Sequence, residues 1–314
     1  MKNKNYQDMK QNNSQEEFIN VREFFGILLK HKFFILIVTI VFAILSVFIA
    51  LSLPNIYKSE AQVAPSSESS SSGLSALAGQ FGGLASMAGI NLGGSDSGNK
   101  TLVALEILQS RKFISEFIIN HDILPELMAA KSWEQKTGKL AFDQDIYDEV
   151  NKKWVRDVDP PLKPEPSLQE ATLAFREKLG VFQNSETGMV FISVEHISPQ
   201  IAQHWVSLLI SDINEVMRQR DVTEAKRSTE YLTEQLKKTE IADIQSILFK
   251  MIEEQAKVIM LAEVREEYVF KTIDPAIIPE LKFKPKRALV CLLITFLGGV
   301  LSVLIVLVRY FTRT

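Results

Sequence analysis

At 314 residues and a formal net charge of −3, the chain has room for one or two domains and carries no basic field for nucleic acid. Its single cysteine, Cys291, excludes a disulfide framework and any multi-cysteine metal site. Hydrophobic content of 46% is ordinary for a folded domain, so any membrane signal has to be local.

A short polar stretch, residues 1–32, precedes the first such signal. Residues 33–53, FFILIVTIVFAILSVFIALSL, run without a charge. At ~1.5 Å rise per residue they cross the ~30 Å hydrocarbon core of a bilayer. The run is too long for the apolar core of a signal peptide and lacks a small-x-small cleavage site, so it reads as an uncleaved anchor. Arg22, Lys30 and Lys32 precede it and only Lys58 follows closely, which favours a cytoplasmic N-terminus.

Residues 54–287 form the main domain, with 27 basic and 34 acidic side chains. It opens on residues 57–64, YKSEAQVA, whose alternation predicts a strand leaving the membrane. Residues 65–99 are a Ser/Gly-rich insert holding eight of the 14 glycines. Such inserts are usually flexible loops, although Leu74, Leu77, Phe81, Leu84 and Met87 recur at helical spacing. Residues 101–120 predict one amphipathic helix with Leu102, Leu105, Leu108, Phe113, Phe117 and Ile118 on its apolar face.

Residues 131–159 are mixed and charged and read as irregular chain with short helices. The proline-rich run 159–166 reads as a stiff extended linker. Ser167-Leu168-Gln169-Glu170 has capping-box form and opens a helix that Gly180 is expected to stop. A hairpin follows, with arms at 181–183 and 189–195.

Ser198-Pro199 then starts a helical region of about 199–264, in a stretch from 200 to 274 with no Gly and no Pro. One apolar stripe includes Ile201, Trp205 and Leu208; a second, near heptad spacing, includes Ile244, Leu248 and Met251. These six are candidates for packing between copies. An unbroken helix here is ~95 Å long, and the 25 residues left after it return at most ~85 Å when fully extended. Two antiparallel arms with a bend near 238–240 are therefore expected, with a single helix descending from a high point as the alternative. Residues 268–273 form a closing strand placed to pair with 57–64. Pro275, Pro279 and Pro285 give a rigid strut over 275–285.

The second apolar run, residues 288–308, ALVCLLITFLGGVLSVLIVLV, again spans a bilayer, with a tail of 309–314 behind it. Lys282, Lys284, Lys286 and Arg287 precede it, so the summed charges tie at five on each side; the first helix is taken to set orientation. Those cations are read either as partners of lipid phosphates or as a solvated flank. Small residues at Thr295 and Gly299, at Gly298 and Ser302, and at Ser46 and Ala50 allow close helix contacts in lipid.

Chemistry is hard to find. There is no GxxxxGK[ST] and no HExxH, and no Ser or Cys sits in a nucleophile elbow. His196 and His204 are eight apart and read as structural. Asp143-Gln144-Asp145 is too common a tripeptide to stand as a metal–nucleotide site without a nucleotide-binding pattern around it. No catalytic residue, cofactor or metal is expected.

The arrangement resembles the Wzz-type polysaccharide co-polymerases, the O-antigen chain-length determinant family, in its kinase-free branch. The resemblance rests on LAGQFGGLASMAGINL (77–92), ALEILQSRKFISEFI (104–118), DINEVMRQRDVTEAKRSTEYL within 205–232, and VFKTIDPAIIPELKFKPKRAL (269–289) before Gly298 and Gly299. It implies an α+β fold: two transmembrane helices flanking a periplasmic domain with a small mixed α/β membrane-proximal base and a long projecting helical hairpin. It implies a double-pass protein of the bacterial inner membrane that forms a homo-oligomeric ring. The implied partners are a membrane polysaccharide polymerase and lipid-linked polysaccharide, with the spans touching the polymerase along Gly298, Gly299 and Ser302. The implied role is non-enzymatic control of polymer length. The alternative is an export partner of a separate cytoplasmic tyrosine kinase for capsule or exopolysaccharide.

Overall fold

The computed structural model describes residues 29–66 and 96–312. The Ser/Gly-rich insert falls almost wholly outside the described residues, as does most of the N-terminal stretch. The molecule divides into two units, residues 54–284 and the flanking residues 1–53 with 285–314.

The flanking unit is a pair of helices, α1 (Lys32–Ser52) and α8 (Arg287–Phe311), each long and apolar enough to cross a membrane. Pro54 ends the first: Leu53 before it is pushed to extended backbone, φ −72° and ψ 132°. Their outward faces carry large apolar side chains in the open, Phe33 at 71% and Phe296 at 68% exposure among them. Water penalises such a surface at ~25 cal/mol per Å2, whereas lipid tails do not. Among the described residues these are the two helices that read as membrane spans.

The other unit is built on a four-stranded antiparallel sheet in the order β6-β7-β1-β8. Strand β1 (Tyr57–Pro65) alternates cleanly, with Tyr57, Ser59, Ala61 and Val63 buried. It pairs along its length with β7 (Val190–His196), from Tyr57 opposite His196 to Val63 opposite Val190. Its far end pairs with β8 (Phe270–Asp274), as the sequence predicts, through a register shift at Gln62/Val63. β6 (Leu179–Gln183) completes the sheet on β7. Gly180 does not stop a helix as expected. It lies inside β6, where an added Cβ would come within 2.5 Å of Ser193 Oγ, so close strand approach is what requires it.

The predicted helix over 101–120 is two helices, α2 (Asp96–Leu108) and α3 (Arg111–Asn120). Ser110 turns to extended backbone and its hydroxyl accepts the Phe113 amide at 3.2 Å, capping α3. The Arg176 guanidinium donates to the freed Gln109 carbonyl at 2.6 and 3.1 Å. A short helix, α4 (Leu124–Met128), follows. The expected short helices in 131–159 are instead two small hairpins, β2 (Ala130–Trp133) with β3 (Leu140–Phe142) and β4 (Tyr147–Asp148) with β5 (Lys153–Trp154). Ring contacts tie them together: Tyr57 to Trp133 at 5.5 Å, Phe142 to Tyr147 at 5.6 Å and Tyr147 to Trp154 at 4.9 Å.

The capping box forms at α5 (Leu168–Lys178), with Ser167 and Glu170 exchanging hydrogen bonds of 3.0 and 3.2 Å. Arg156 pairs with Glu170 at 2.7 Å and also donates to the carbonyls of Lys163 and Pro164, so the proline-rich run is held by one guanidinium. That pairing, with the cap, holds the Glu170 carboxyl down at about 2.

The long helical region is a hairpin. Helix α6 (Pro199–Lys238) is 40 residues, ~60 Å, and α7 (Ala242–Val264) folds back along it. The break at 239–241 uses neither Gly nor Pro. Thr239 and Ile241 both take extended backbone, and the Gln245 side-chain amide donates to the Thr239 carbonyl at 2.7 Å. Lys237 and Lys238 in the last turn of α6 and Asp243 in the first turn of α7 suit the two helix dipoles. The single-helix alternative is excluded.

Candidate functional site

The surfaces offered to partners are set by which apolar stripes the fold consumes. The first stripe is consumed at the root of the hairpin. Trp205 is fully buried with Leu209 and Ile213 in the core formed by α6, β1 and β7, and Ile201 and Leu208 pack partly against that core. The Trp205 ring sits 5.7 Å from Phe175 and 5.0 Å from His196. Trp205, expected from its spacing to pack between copies, is enclosed within the protomer's own core.

The second stripe is left on the surface. Ala262 is the only α7 residue buried. Ile244, Ile247 (58% exposed) and Met251 form an open row at spacings of three and four, with Leu248 half-buried beside it and Phe249 exposed. The protomer itself leaves this apolar row open.

The root is fixed by polar groups that sequence periodicity does not reveal. Asn214, buried on α6, accepts the amides of Val269 and Phe270 at 2.8 and 2.9 Å and donates to the Phe270 carbonyl at 3.0 Å. It closes the edge of β8 onto the helix and satisfies three backbone groups that would otherwise be buried unpaired. The Tyr268 hydroxyl donates to Asp221 at 2.8 Å, and Lys100 pairs with the same carboxylate at 3.2 Å. A polar residue inside the Trp205–Ile213–Met217 apolar row is the one signal that points to Asn214.

Both ring nitrogens of His196 are engaged in hydrogen bonds. The Ser198 amide donates to its Nδ1 at 3.0 Å, which leaves the proton on Nε2 to be donated to the Glu126 carbonyl at 3.0 Å. Burial, with Lys178 nearby, pushes the imidazole down to about 4. Asp143 takes Lys131 at 3.0 Å and caps the Asp145 amide within its own turn. Among the described residues no cluster of His, Cys, Asp and Glu could hold a metal ion.

Between the spans the small residues meet. Ser46, Ala50 and Ser302 are buried, and an added Cβ at Gly298 would collide with the Phe42 ring. Gly299 lies opposite Thr39, whose Oγ1 would be 3.8 Å from such a Cβ. Thr295 is half-buried. Contacts run from Ser46 near Cys291 to Phe42 at Gly298, so the helices are antiparallel. The hydroxyls of Thr39, Ser46 and Ser302 donate to carbonyls of their own helices at 2.7–2.8 Å. Gly298 and Ser302 thus face the chain's own first span. Pro275, Pro279 and Pro285 lie in irregular chain between β8 and α8.

An open groove of about 790 Å3 runs between α2, α3 and α6, lined by Ser110, Lys112, Glu116, Arg220, Glu224 and Arg227 among others. It offers hydroxyl, carboxylate and guanidinium groups together.

Residues 17–121 match the family described as Wzz, chain length determinant protein. Residues 249–311 match the one described as GNVR, G-rich domain on putative tyrosine kinase. No curated protein sequence matches. Among solved structures, a "full-length bacterial polysaccharide co-polymerase" is similar at 13% identity and a TM-score of 0.38, over 92% of this chain and 97% of that one. A fragment of WzzB, the polysaccharide co-polymerase from Salmonella Typhimurium, is similar at 12% identity and a TM-score of 0.30, over 73% of this chain and all of the other.

Proposed function

We propose that this chain is a Wzz-type polysaccharide co-polymerase that sets the length of the O-antigen of lipopolysaccharide without catalysing a reaction itself, a reading supported by the family matches over residues 17–121 and 249–311. It acts as a homo-oligomeric ring in the bacterial inner membrane, with residues 54–287 in the periplasm. It works beside a membrane polymerase that extends lipid-linked polysaccharide. The observation that carries the assembly is the unpartnered apolar row of α7: a helix that buries one residue in its own protomer needs a second surface. The polymer contact falls at the groove between α3 and α6, where side chains of both signs and hydroxyls match sugar hydroxyls. The polymerase contact falls on the outward faces of the spans, around Leu292, Phe296 and Leu297.

Deleting the gene and resolving lipopolysaccharide by gel tests the reading. Polymer that is still made but without a preferred length is expected. An unchanged ladder, or no polymer, overturns it. Protease added to intact spheroplasts should digest residues 54–287; protection until lysis would reverse the orientation.

A second reading has its own support in the match of residues 249–311 to a domain found on tyrosine kinases. It makes the chain an export partner, for capsule or exopolysaccharide, of a separate cytoplasmic kinase. Loss of surface capsule with a normal lipopolysaccharide ladder would select it.

A further inference from the structure

The chain between β8 and the second span presents large apolar side chains on a backbone that is not free to retract them. Ile277 is 69% exposed and Leu281 84%, with Ile278 and Phe283 also open. Exposed side chains of this size usually belong to loose loops, but this segment is pinned at several points. Ser59 Oγ donates to the Ile277 carbonyl at 2.7 Å, and the Gln203 amide donates to the Ala276 carbonyl at 3.3 Å. Ile56 exchanges backbone bonds with Phe283 and Lys284 at 2.8 and 2.9 Å. Lys284 further pairs with Glu195 at 2.7 Å.

The pins fix where the segment lies along the chain's exit from lipid. Ile56 is three residues beyond Leu53, the last apolar residue of the first run, and Lys284 is three residues before Arg287, the first of α8. Three residues reach at most ~10 Å. The tether between Ile56 and Lys284 therefore lies within about 10 Å of a span along the chain, whichever side of the membrane the domain occupies. Lys282 and Lys286 alternate with the apolar residues in sequence, and long lysine stems keep their ammonium groups at phosphate level while the neighbouring apolar groups go deeper.

We propose that residues 277–284 are a membrane-interface strip, with Ile277, Ile278, Leu281 and Phe283 seated at the boundary of headgroups and acyl chains and Lys282 at the lipid phosphates. The strip makes the root of the domain, and not only its two spans, a lipid-bound surface.

The test uses the full chain in phospholipid nanodiscs, with Cys291 replaced by alanine. Single cysteines, Leu281→Cys, Ile277→Cys and, as a water-exposed control, Val150→Cys (90% exposed), carry the fluorophore NBD. Lipids bearing a nitroxide near the head of the acyl chain should quench the probe at 281 and at 277 at least about threefold more than at 150, as expected for side chains 5–10 Å into the interface. Equal quenching at all three sites would place the strip in water and overturn the proposal. Blue-shifted emission at 281 and 277 without lipid quenching would overturn it equally, since a second copy or another protein would then be covering the strip.

Discussion

The two arms of the hairpin begin from similar apolar spacing and meet opposite fates. The root half of α6 places Trp205, Leu209 and Ile213 in a fully buried core, while α7 buries only Ala262 and leaves Ile244, Ile247 and Met251 open. Spacing along a helix states that one face is apolar; it does not state what covers that face. Cover depends on what else the chain brings alongside. The sheet and α5 reach the root of α6, and nothing among the described residues reaches the row on α7.

The comparison breaks most sharply at Trp205. Trp205→Ala should destabilise the domain by about 3–5 kcal/mol, because the ring is enclosed by Phe175 and His196 and its cavity cannot collapse. Phe249→Ala on the exposed arm should change stability by no more than about 0.5 kcal/mol. Chemical denaturation of the detergent-solubilised chain reads both. Equal losses would mean that the arms are packed alike.

His196 gives the root a pH dependence. The imidazole titrates near 6.5 in the unfolded chain and at about 4 in the folded one. Above pH 6.5 both states are neutral and the root keeps its full stability. As pH falls from 6.5 to 4 the unfolded chain takes the proton first, so stability declines, by about 3 kcal/mol once pH is below 4. His196→Gln should flatten that slope. Glu126, whose carboxyl burial raises, titrates in both proteins, so the difference between the two curves isolates the histidine. Parallel curves would show that the ring is not sealed in the core.

Asn214 comes next. Asn214→Leu keeps the bulk but strands the amides of Val269 and Phe270, for an expected loss of about 2 kcal/mol. Hydrogen exchange should quicken first at β8, whose first amides this side chain holds to α6. Uniform quickening across the domain would mean that the clamp is global.

How far these arms could be read in advance follows from the range of the forces involved. The spans, the hairpin bend and the strand pair of β1 with β8 are written in long runs or in chain-length geometry, and all were legible. Helix α2 was fused with α3 because the break at Ser110 depends on Arg176 reaching in from α5, 66 residues later. The hairpins of 131–159 have strands of two to four residues, too short for a period to register, and their ring contacts are tertiary. The small residues of the spans were visible, but whether they face a partner or the chain's own other helix depended on Phe42 at Gly298. For the same reason Trp205 could be placed on an apolar face and not assigned to a core.

The smallest effect on stability is expected where the effect on assembly is largest. Ile244→Asp together with Met251→Asp puts two carboxylates at positions that are 42% and 47% exposed, so neither charge is enclosed and folding should change by less than about 1 kcal/mol. If the α7 row joins copies of the chain, the same two charges face each other across every interface, where desolvation and like-charge repulsion act together. The variant should therefore reach the membrane and unfold at the wild-type midpoint, yet sediment as a smaller species and yield polymer without a preferred length. A variant that sediments like wild type would remove the row from the interface and leave the root of α6 as the more important arm in every respect.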